Sequence, residues 1–435
     1  MFNATGGFSA IITAMVIKRM GKIYLSRLLE AQAKKLREQN DFKVVAIVGS
    51  VGKTTTKLAI AKMLESQLRV KYQTGNYNDR LTVPLIFFGQ EEPGIFDIPA
   101  WLKVLRSNRK ALKQPYPYDV VVVELGSDGP GQIKDFAYIK PDVTVVTALT
   151  DEHMAFFKTL DAVAEEELTA VSFSKQSLIN VDDSPPQYLA GVSYLGYGHN
   201  AQDYQLLERT PQADGTQQVR MSLRGKELSA TTNLLGEQGA KPVLAAAAVA
   251  DLCGLTPEQI AATTPTIKAV PGRMQLLKGI KNTTIIDDSY NASPVAMTAA
   301  LDVLYALPVE QRVAVLGNMN EMGDLSPNMH KEVGEYCDPS KLDLVITLGA
   351  DANQFLAPAA ESKGCSVKTF TNPYEVGEFL RGYLQEGAAV LVKGSQNGVF
   401  SEEVVKLLLA DPADTSKLVR QSSFWLKKKQ SQFKR

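Results

Sequence analysis

The sequence predicts an α/β protein of two doubly wound parallel sheets, entered through a short N-terminal helix. Three observations predict it. Short runs of β-branched and aliphatic residues alternate with segments of helical period from residue 43 to about residue 200. A glycine loop, Gly49 to Thr56, joins the first of these runs to the first helical segment. After Pro271-Gly272 the alternation starts again, with apolar strand candidates at 283–288, 311–316, 343–348, 366–370 and 388–392. With 435 residues the chain is long enough for two or three cores. Hydrophobic content of 45% against 22% charged excludes disorder over most of the length. The expected divisions are an N-terminal helix (1–42), a central unit carrying the glycine loop (43–271), a C-terminal Rossmann-like unit (272–412) and a basic tail (413–435).

The first segment opens with an apolar run, Phe8 to Ile17, of 10 residues. A membrane-spanning helix needs about 20. Lys18, Arg19 and Lys22 follow the run, the reverse of a secretory signal, so no signal peptide is expected. Leu25, Leu28, Leu29, Ala33 and Leu36 then recur at helical spacing beside Arg27, Lys34, Lys35 and Arg37. This is an amphipathic basic helix. Packing on the body is its plain reading, and peripheral contact with a membrane's inner face is the sharper one. The tail, FWLKKKQSQFKR, reads as solvated by default and as a second anionic-surface contact otherwise.

Charge supports that division. The 47 basic and 47 acidic side chains cancel, yet residues 1–40 carry +5 and 415–435 carry +7, leaving −12 between them. An acidic body excludes bulk nucleic-acid binding. Cys253, Cys337 and Cys365 are odd in number and far apart, which fits a reducing, cytoplasmic setting and no disulfide framework. His153, His199 and His330 leave little room for an all-histidine metal site.

The central unit begins with the buried strand KVVAIV (43–48), the loop Gly49-Ser50-Val51-Gly52-Lys53-Thr54-Thr55-Thr56, and then a helix with Leu58, Ala61, Leu64 and Leu68 on one side. Strand, glycine loop, Lys-Thr and helix together make a phosphate-binding loop. The glycines let backbone N–H groups turn inward on phosphate oxygens, Lys53 brings positive charge, Thr54 can ligate Mg²⁺, and the helix N-terminus adds its dipole. Glu124 ends the apolar strand 119–123, where ligands of open α/β sheets bind. A carboxylate there suits Mg²⁺, a hard cation that prefers oxygen ligands.

The loop is shortened to G-S-x-G-K-T, with Ile47 where the common pattern has its first glycine. This compact form resembles that of the Mur ligases, the ATP-dependent amide-bond-forming enzymes of peptidoglycan precursor synthesis. Further blocks carry the same resemblance in order: GNYNDRLTVP (75–84), VVVVELGSDGPGQI (120–133), TALTDEHMAFFKTLDAVAEEE (147–167), VPGRM (270–274), IIDDSYNASPVAMTAAL (285–301), LGNMNEMGDLSPNMHKEVGE (316–335) and LVKGSQNGVFSEEVV (391–405). The match spans about residues 43–410 and is strongest to the branch that adds D-Ala-D-Ala to a UDP-muramyl tripeptide.

The resemblance implies a central P-loop ATPase domain, a C-terminal Rossmann-like ligase domain, and ATP and Mg²⁺ as cofactors. It implies that Gly49, Ser50, Gly52, Lys53, Thr54 and Thr55 hold phosphates, and that Thr54, Glu124 and His153 serve the metal. Glu167 falls where the family carries a carbamylated lysine, so it is expected to supply that carboxylate directly; the bland alternative is a solvated helix face with Glu165 and Glu166. Asn76, Asn78, Asp79 and Arg80 are implied near the acyl substrate, Arg273, Asp288 and Asn291 at the nucleotide, and Glu321, Lys393 and Ser395 at the incoming amine. His330 is expected on that rim. Three departures stand out. Pro242 replaces an Asn that contacts adenine in the family, Gln396 follows KGS where Arg is usual, and only about 42 residues precede the first strand, so the family's separate UDP-sugar-binding domain is not expected within this sequence. The implied reaction phosphorylates a carboxylate with ATP, and an amine then displaces phosphate to give an amide. A different acceptor, or a nucleotide-binding subunit without ligase chemistry, is the alternative.

Overall fold

The structure, a computed structural model, describes residues 5–433 apart from Asn76, Ile95, Glu152, His153, Ala213 and Asp214; side chains are described from Gly21 onward, Ala155 excepted. Two sheets organise it. The first contains β1 (Lys43–Val48), β2 (Val70–Lys71), β3 (Val120–Glu124), β4 (Val143–Val146), β5 (Gln176–Asn180), β6 (Leu195–Gly198), β7 (Tyr204–Pro211), β8 (Gln217–Leu223) and β9 (Lys226–Thr232). Their spatial order is β2-β3-β1-β4-β5-β6-β7-β8-β9. Pairing is parallel from β2 to β7, and β7, β8 and β9 form an antiparallel meander. Burial explains the sequence patterns. β3 is covered on both faces and is apolar until its terminal Glu124, whereas β8 alternates buried and exposed residues because only one face is covered.

The second sheet contains β10 (Gln275–Lys278), β11 (Thr284–Asp288), β12 (Arg312–Gly317), β13 (Leu344–Leu348), β14 (Val367–Phe370) and β15 (Ala389–Lys393). Its order is β10-β11-β15-β12-β13-β14, parallel except for the edge strand β10. The five expected strands lie within one residue of their expected positions. The short edge strands β2 and β10 lack a long apolar run and are not evident from sequence.

The N-terminal helix spans Thr5–Gln39. Its plain reading holds over the second half. Leu29 packs with Leu81, Leu85, Trp101, Val104 and Leu105, while Ala33 and Leu36 join Phe42 and Val44 in the core beneath β1. The buried amide of Gln32 donates to the Leu105 carbonyl at 3.0 Å and accepts from Asn108 at 2.9 Å. Ion pairs edge the contact: Arg37 with Asp142 at 2.6 Å, Lys22 with Asp79 at 2.9 Å, and Arg80 with Glu30. No helix among the described residues is long and apolar enough to cross a membrane.

The C-terminal segment corrects the expectation of a solvated tail. Ser423–Phe433 is a helix that docks on the second sheet's helical layer. Phe433 and Trp425 meet Phe400 edge-on, and Lys429 is fully buried between Glu402 at 2.8 Å and Glu403 at 2.6 Å. The charge run looked solvated because its partners lie about 26 residues upstream in sequence, beyond any local pattern.

Candidate active site

The phosphate loop leaves β1 at Gly49 and re-enters helix at Lys53. Only glycine fits the first position: φ is +119°, and a Cβ would come within 2.5 Å of Thr147 Oγ1 and 2.9 Å of the Ala148 backbone. The loop is pinned from both sides. Ser50 Oγ donates to the Thr150 carbonyl at 2.8 Å, and the Gly49 N–H donates to Glu167 Oε2 at 2.6 Å. Lys53 Nζ folds back on the Gly49 and Ser50 carbonyls, the latter at 2.9 Å.

Glu124, at the carboxyl end of β3, is buried beside this loop. It accepts from Thr54 Oγ1 at 3.0 Å and from Asn78 Nδ2 at 3.4 Å, and pairs with Lys57 Nζ at 3.2 Å. Burial raises its pKa, but Lys57, Lys53 and Arg273, with the Thr54 hydroxyl, outweigh that and hold it below the usual carboxylate range. A hydroxyl and an ionised carboxylate this close form a hard-oxygen donor set, which fits Mg²⁺.

Across the cleft stands the carboxyl end of the second sheet. Asp288, ending β11, pairs with the buried Lys393 Nζ, ending β15, at 2.5 Å. Lys393 also donates to the Asn291 carbonyl at 3.0 Å, and Asp288 Oδ1 accepts the Met274 N–H at 3.1 Å. Ser395 Oγ accepts the Asn320 N–H at 3.0 Å and donates to the Ala292 carbonyl at 3.3 Å. Arg273 spans the gap: its guanidinium lies 4.3 Å from the Tyr290 ring centroid, and Nη2 reaches Thr54 Oγ1 at 3.5 Å. One cleft is lined by Ser50, Gly52, Lys53, Thr54, Thr55 and Glu124 from the first sheet and by Arg273, Asp288, Asn291, Glu321 and Lys393 from the second.

Not every expected residue reaches that cleft. Asp79 closes its own turn, accepting from Leu81 N–H at 3.0 Å and Thr82 N–H at 2.8 Å, besides its pair with Lys22. Arg80 is engaged by Glu30 and, at 2.9 Å, by Asp135. Neither lines the cleft. His153 and Asn76 lie outside the described residues. His330 is buried rather than on a rim: Nε2 accepts the Met319 N–H at 2.9 Å, Nδ1 contacts the Ser326 carbonyl at 2.8 Å, and burial pushes its pKa down.

Of the three consecutive glutamates, only Glu165 faces solvent. Glu166 is buried and gathers the N–H groups of Gly131, Gln132 and Ile133 at 2.6–2.7 Å, capping the short helix Ile133–Ile139. Sequence reasoning missed this brace, and it missed Lys57. It also missed Gln238, whose carboxamide oxygen and nitrogen are both buried, line the cleft, and have no hydrogen-bond partner among the described residues. The helix carrying it, Gly236–Leu252, starts well before the alanine run and holds Pro242 in its interior.

Comparison with known proteins agrees with this geometry. The Mur ligase middle domain model matches residues 47–250, and the Mur ligase glutamate ligase domain model matches residues 272–396. UDP-N-acetylmuramoyl-tripeptide–D-alanyl-D-alanine ligase of Bacillus subtilis is 29% identical over 394 residues, covering 88% of this chain and 79% of that protein. Among solved structures, MurF from Acinetobacter baumannii superposes with a TM-score of 0.73 at 22% identity, covering 88% of this chain and 79% of that one. MurF from Thermotoga maritima in complex with ADP gives 0.71 at 23% identity, covering 88% and 83%. A shortened phosphate loop facing a second parallel sheet across one cleft, with both family models matched in order, places this chain in the Mur ligase family.

Proposed function

We propose that this chain is an ATP-dependent amide-bond ligase that adds D-Ala-D-Ala to a UDP-muramyl tripeptide through an acyl phosphate. The observation that carries the reading is the Thr54–Glu124 contact at the phosphate loop, set across one cleft from the Asp288–Lys393 pair. The Bacillus subtilis relative, named for that reaction, supports the choice of substrates.

In this mechanism the loop amides and Lys53 hold the terminal phosphates of ATP in line with the acyl carboxylate. Thr54 and Glu124, with His153 and Glu167 by resemblance, would hold Mg²⁺, which supplies charge neutralisation on the transferring phosphoryl oxygens. Transfer gives ADP and an acyl phosphate. The amine then attacks the acyl carbon, the carbon–oxygen bond to phosphate breaks, and an amide and inorganic phosphate leave. Lys393 and Glu321, which line the cleft, are assigned to the incoming amine and Arg273, Asp288 and Asn291 to the nucleotide, while the buried Ser395 supports that rim through Asn320 and Ala292. Gln238, with an unpartnered donor and acceptor, is the group suited to an adenine edge where Pro242 cannot serve. Closure of the two sheets keeps water from the acyl phosphate.

Phosphate release from ATP tests the reading. Stimulation only when UDP-muramyl tripeptide and D-Ala-D-Ala are both present is the expected result. Stimulation by another amine moves the acceptor, and turnover with neither substrate removes the ligase.

Peripheral membrane contact is proposed for the N-terminal helix alone, since Lys428 and Lys429 serve the docked C-terminal helix. Ile23 and Tyr24 of that helix, and Ile98 and Leu102 of the helix Ile98–Ala111 packed with it, are exposed large hydrophobics. Sedimentation with anionic liposomes, comparing the full chain with Ile12→Asp/Val16→Asp, decides it; equal sedimentation ends the proposal.

A further inference from the structure

Beyond β11, which ends at Asp288, the carbonyls of Ser289 and Tyr290 are met by a side chain. Buried backbone acceptors need donors. Arg420, from the segment just before the C-terminal helix, provides both: Nη2 donates to the Ser289 carbonyl at 2.5 Å and Nη1 to the Tyr290 carbonyl at 3.1 Å. The same guanidinium pairs with the buried Glu402 through Nε at 2.9 Å and Nη2 at 2.8 Å, and its carbon lies 5.7 Å from the Tyr290 ring centroid. A planar fork with five donors can meet two carbonyls and a carboxylate at once; an ammonium cannot do so in one plane.

This residue is itself held. Its backbone sits at φ +54°, an unfavourable conformation for a side chain of this size. Lys429 fixes it there, donating to the Arg420 carbonyl at 2.9 Å while pairing with Glu402 at 2.8 Å. The preceding Val419 packs against Gly272, at the start of the second unit: a Cβ on Gly272, which has φ +67°, would come within 3.0 Å of Val419 and 3.3 Å of the Tyr290 nitrogen. Tyr290 in turn donates its N–H to the Gly272 carbonyl at 3.0 Å. On the cleft side of Tyr290 lies Arg273, which reaches Thr54 of the phosphate loop.

We propose that Arg420 is a positioning residue for the phosphate site: by clamping the Ser289–Tyr290 segment against Gly272, it sets the Tyr290 ring that holds the Arg273 guanidinium at Thr54. The C-terminal helix is thus the outer brace of the junction between the two sheets. Arg420 does not line the cleft and acts through Tyr290 and Arg273. This rests on the reading of the loop as a nucleotide site.

The test is a double-mutant cycle on the full chain, read by ATP·Mg²⁺ titration and by steady-state kinetics. Arg420→Ala is expected to weaken ATP affinity and raise its KM by about tenfold or more, with the KM for the amine changed far less. Arg420→Lys, which keeps the charge and loses the fork, is expected between wild type and alanine and guards against misfolding of the alanine variant. In an Arg273→Ala background, Arg420→Ala is expected to add less than twofold. Full additivity, or an unchanged ATP KM in both Arg420 variants, overturns the proposal while leaving the nucleotide reading intact. Wild-type protein that does not bind ATP overturns the nucleotide reading and this proposal with it.

Discussion

The backbone N–H of Gly49, the first residue of the phosphate loop, donates to Glu167 Oε2 at 2.6 Å. Glu167 therefore braces the loop itself. Glutamine keeps an oxygen for that N–H and loses the charge, whereas alanine loses both. If Glu167 also serves Mg²⁺, Glu167→Gln lowers turnover at least tenfold and weakens the Mg²⁺ dependence, and Glu167→Ala is worse. Steady-state rates across a Mg²⁺ series check this; a silent glutamine with a damaged alanine limits Glu167 to bracing.

Lys57 and Glu124 form a pair with 0% and 3% side-chain exposure. A buried charge left wholly unpaired costs about 3–5 kcal/mol; Lys53 and Arg273 still face Glu124, so loss of Lys57 costs less than that. Lys57→Met is therefore expected to lower the urea midpoint substantially, and Lys57→Met/Glu124→Gln to recover part of the loss. A double variant no more stable than Lys57→Met in equilibrium unfolding denies the coupling.

Asp287 gives the stability a pH dependence of its own. Burial is the main cause that raises its pKa, to about 6; the Ser289 hydrogen bonds oppose this, and Asp288 and Glu402 add to it. A carboxyl whose folded pKa exceeds its unfolded value contributes fully below the unfolded value, and that contribution is lost as pH rises toward the folded one. Asp287→Asn removes the titration. Its stability relative to wild type should rise between pH 4 and pH 6.5, by at most about 3 kcal/mol for a shift of this size. A constant difference across that range, by differential scanning calorimetry, contradicts the assignment.

Leu29 joins the N-terminal helix to the segment that follows Arg80, through Leu81 and Leu85. Leu29→Ala is expected to cost about 3 kcal/mol, as for other buried leucines. It should also raise the KM of the carboxylate substrate more than that of ATP, because Asn78 hangs on the same segment. Chemical denaturation and paired KM measurements check both parts.

Much of this was legible. The strands of both sheets are apolar runs, and Glu124 and Lys393 were placed because polar residues closing such runs mark strand ends. The glutamates were legible too, had their period been read: Val163, Glu166, Glu167 and Ala170 follow i, i+3, i+4, i+7, so two of the three glutamates share the buried face. Lys57 lies one turn beyond Thr54, on the side toward Glu124, but a lysine in a helix gives no local sign of its partner. The docking of Lys429 and Arg420 was not legible, because the pairing of distant charges depends on how the second sheet folds and leaves no periodic trace.

The helix Thr5–Gln39 is a single rod of about 50 Å, and its second half is keyed to the body by the Gln32–Asn108 amides and by the Glu30–Arg80 and Arg37–Asp142 pairs. A keyed rod neither slides nor swivels. Whatever the first half meets, it meets with the first sheet at one set angle, so the phosphate loop has a set bearing relative to that contact. The helix works as a jig: its importance lies in the direction it imposes as much as in any affinity it carries.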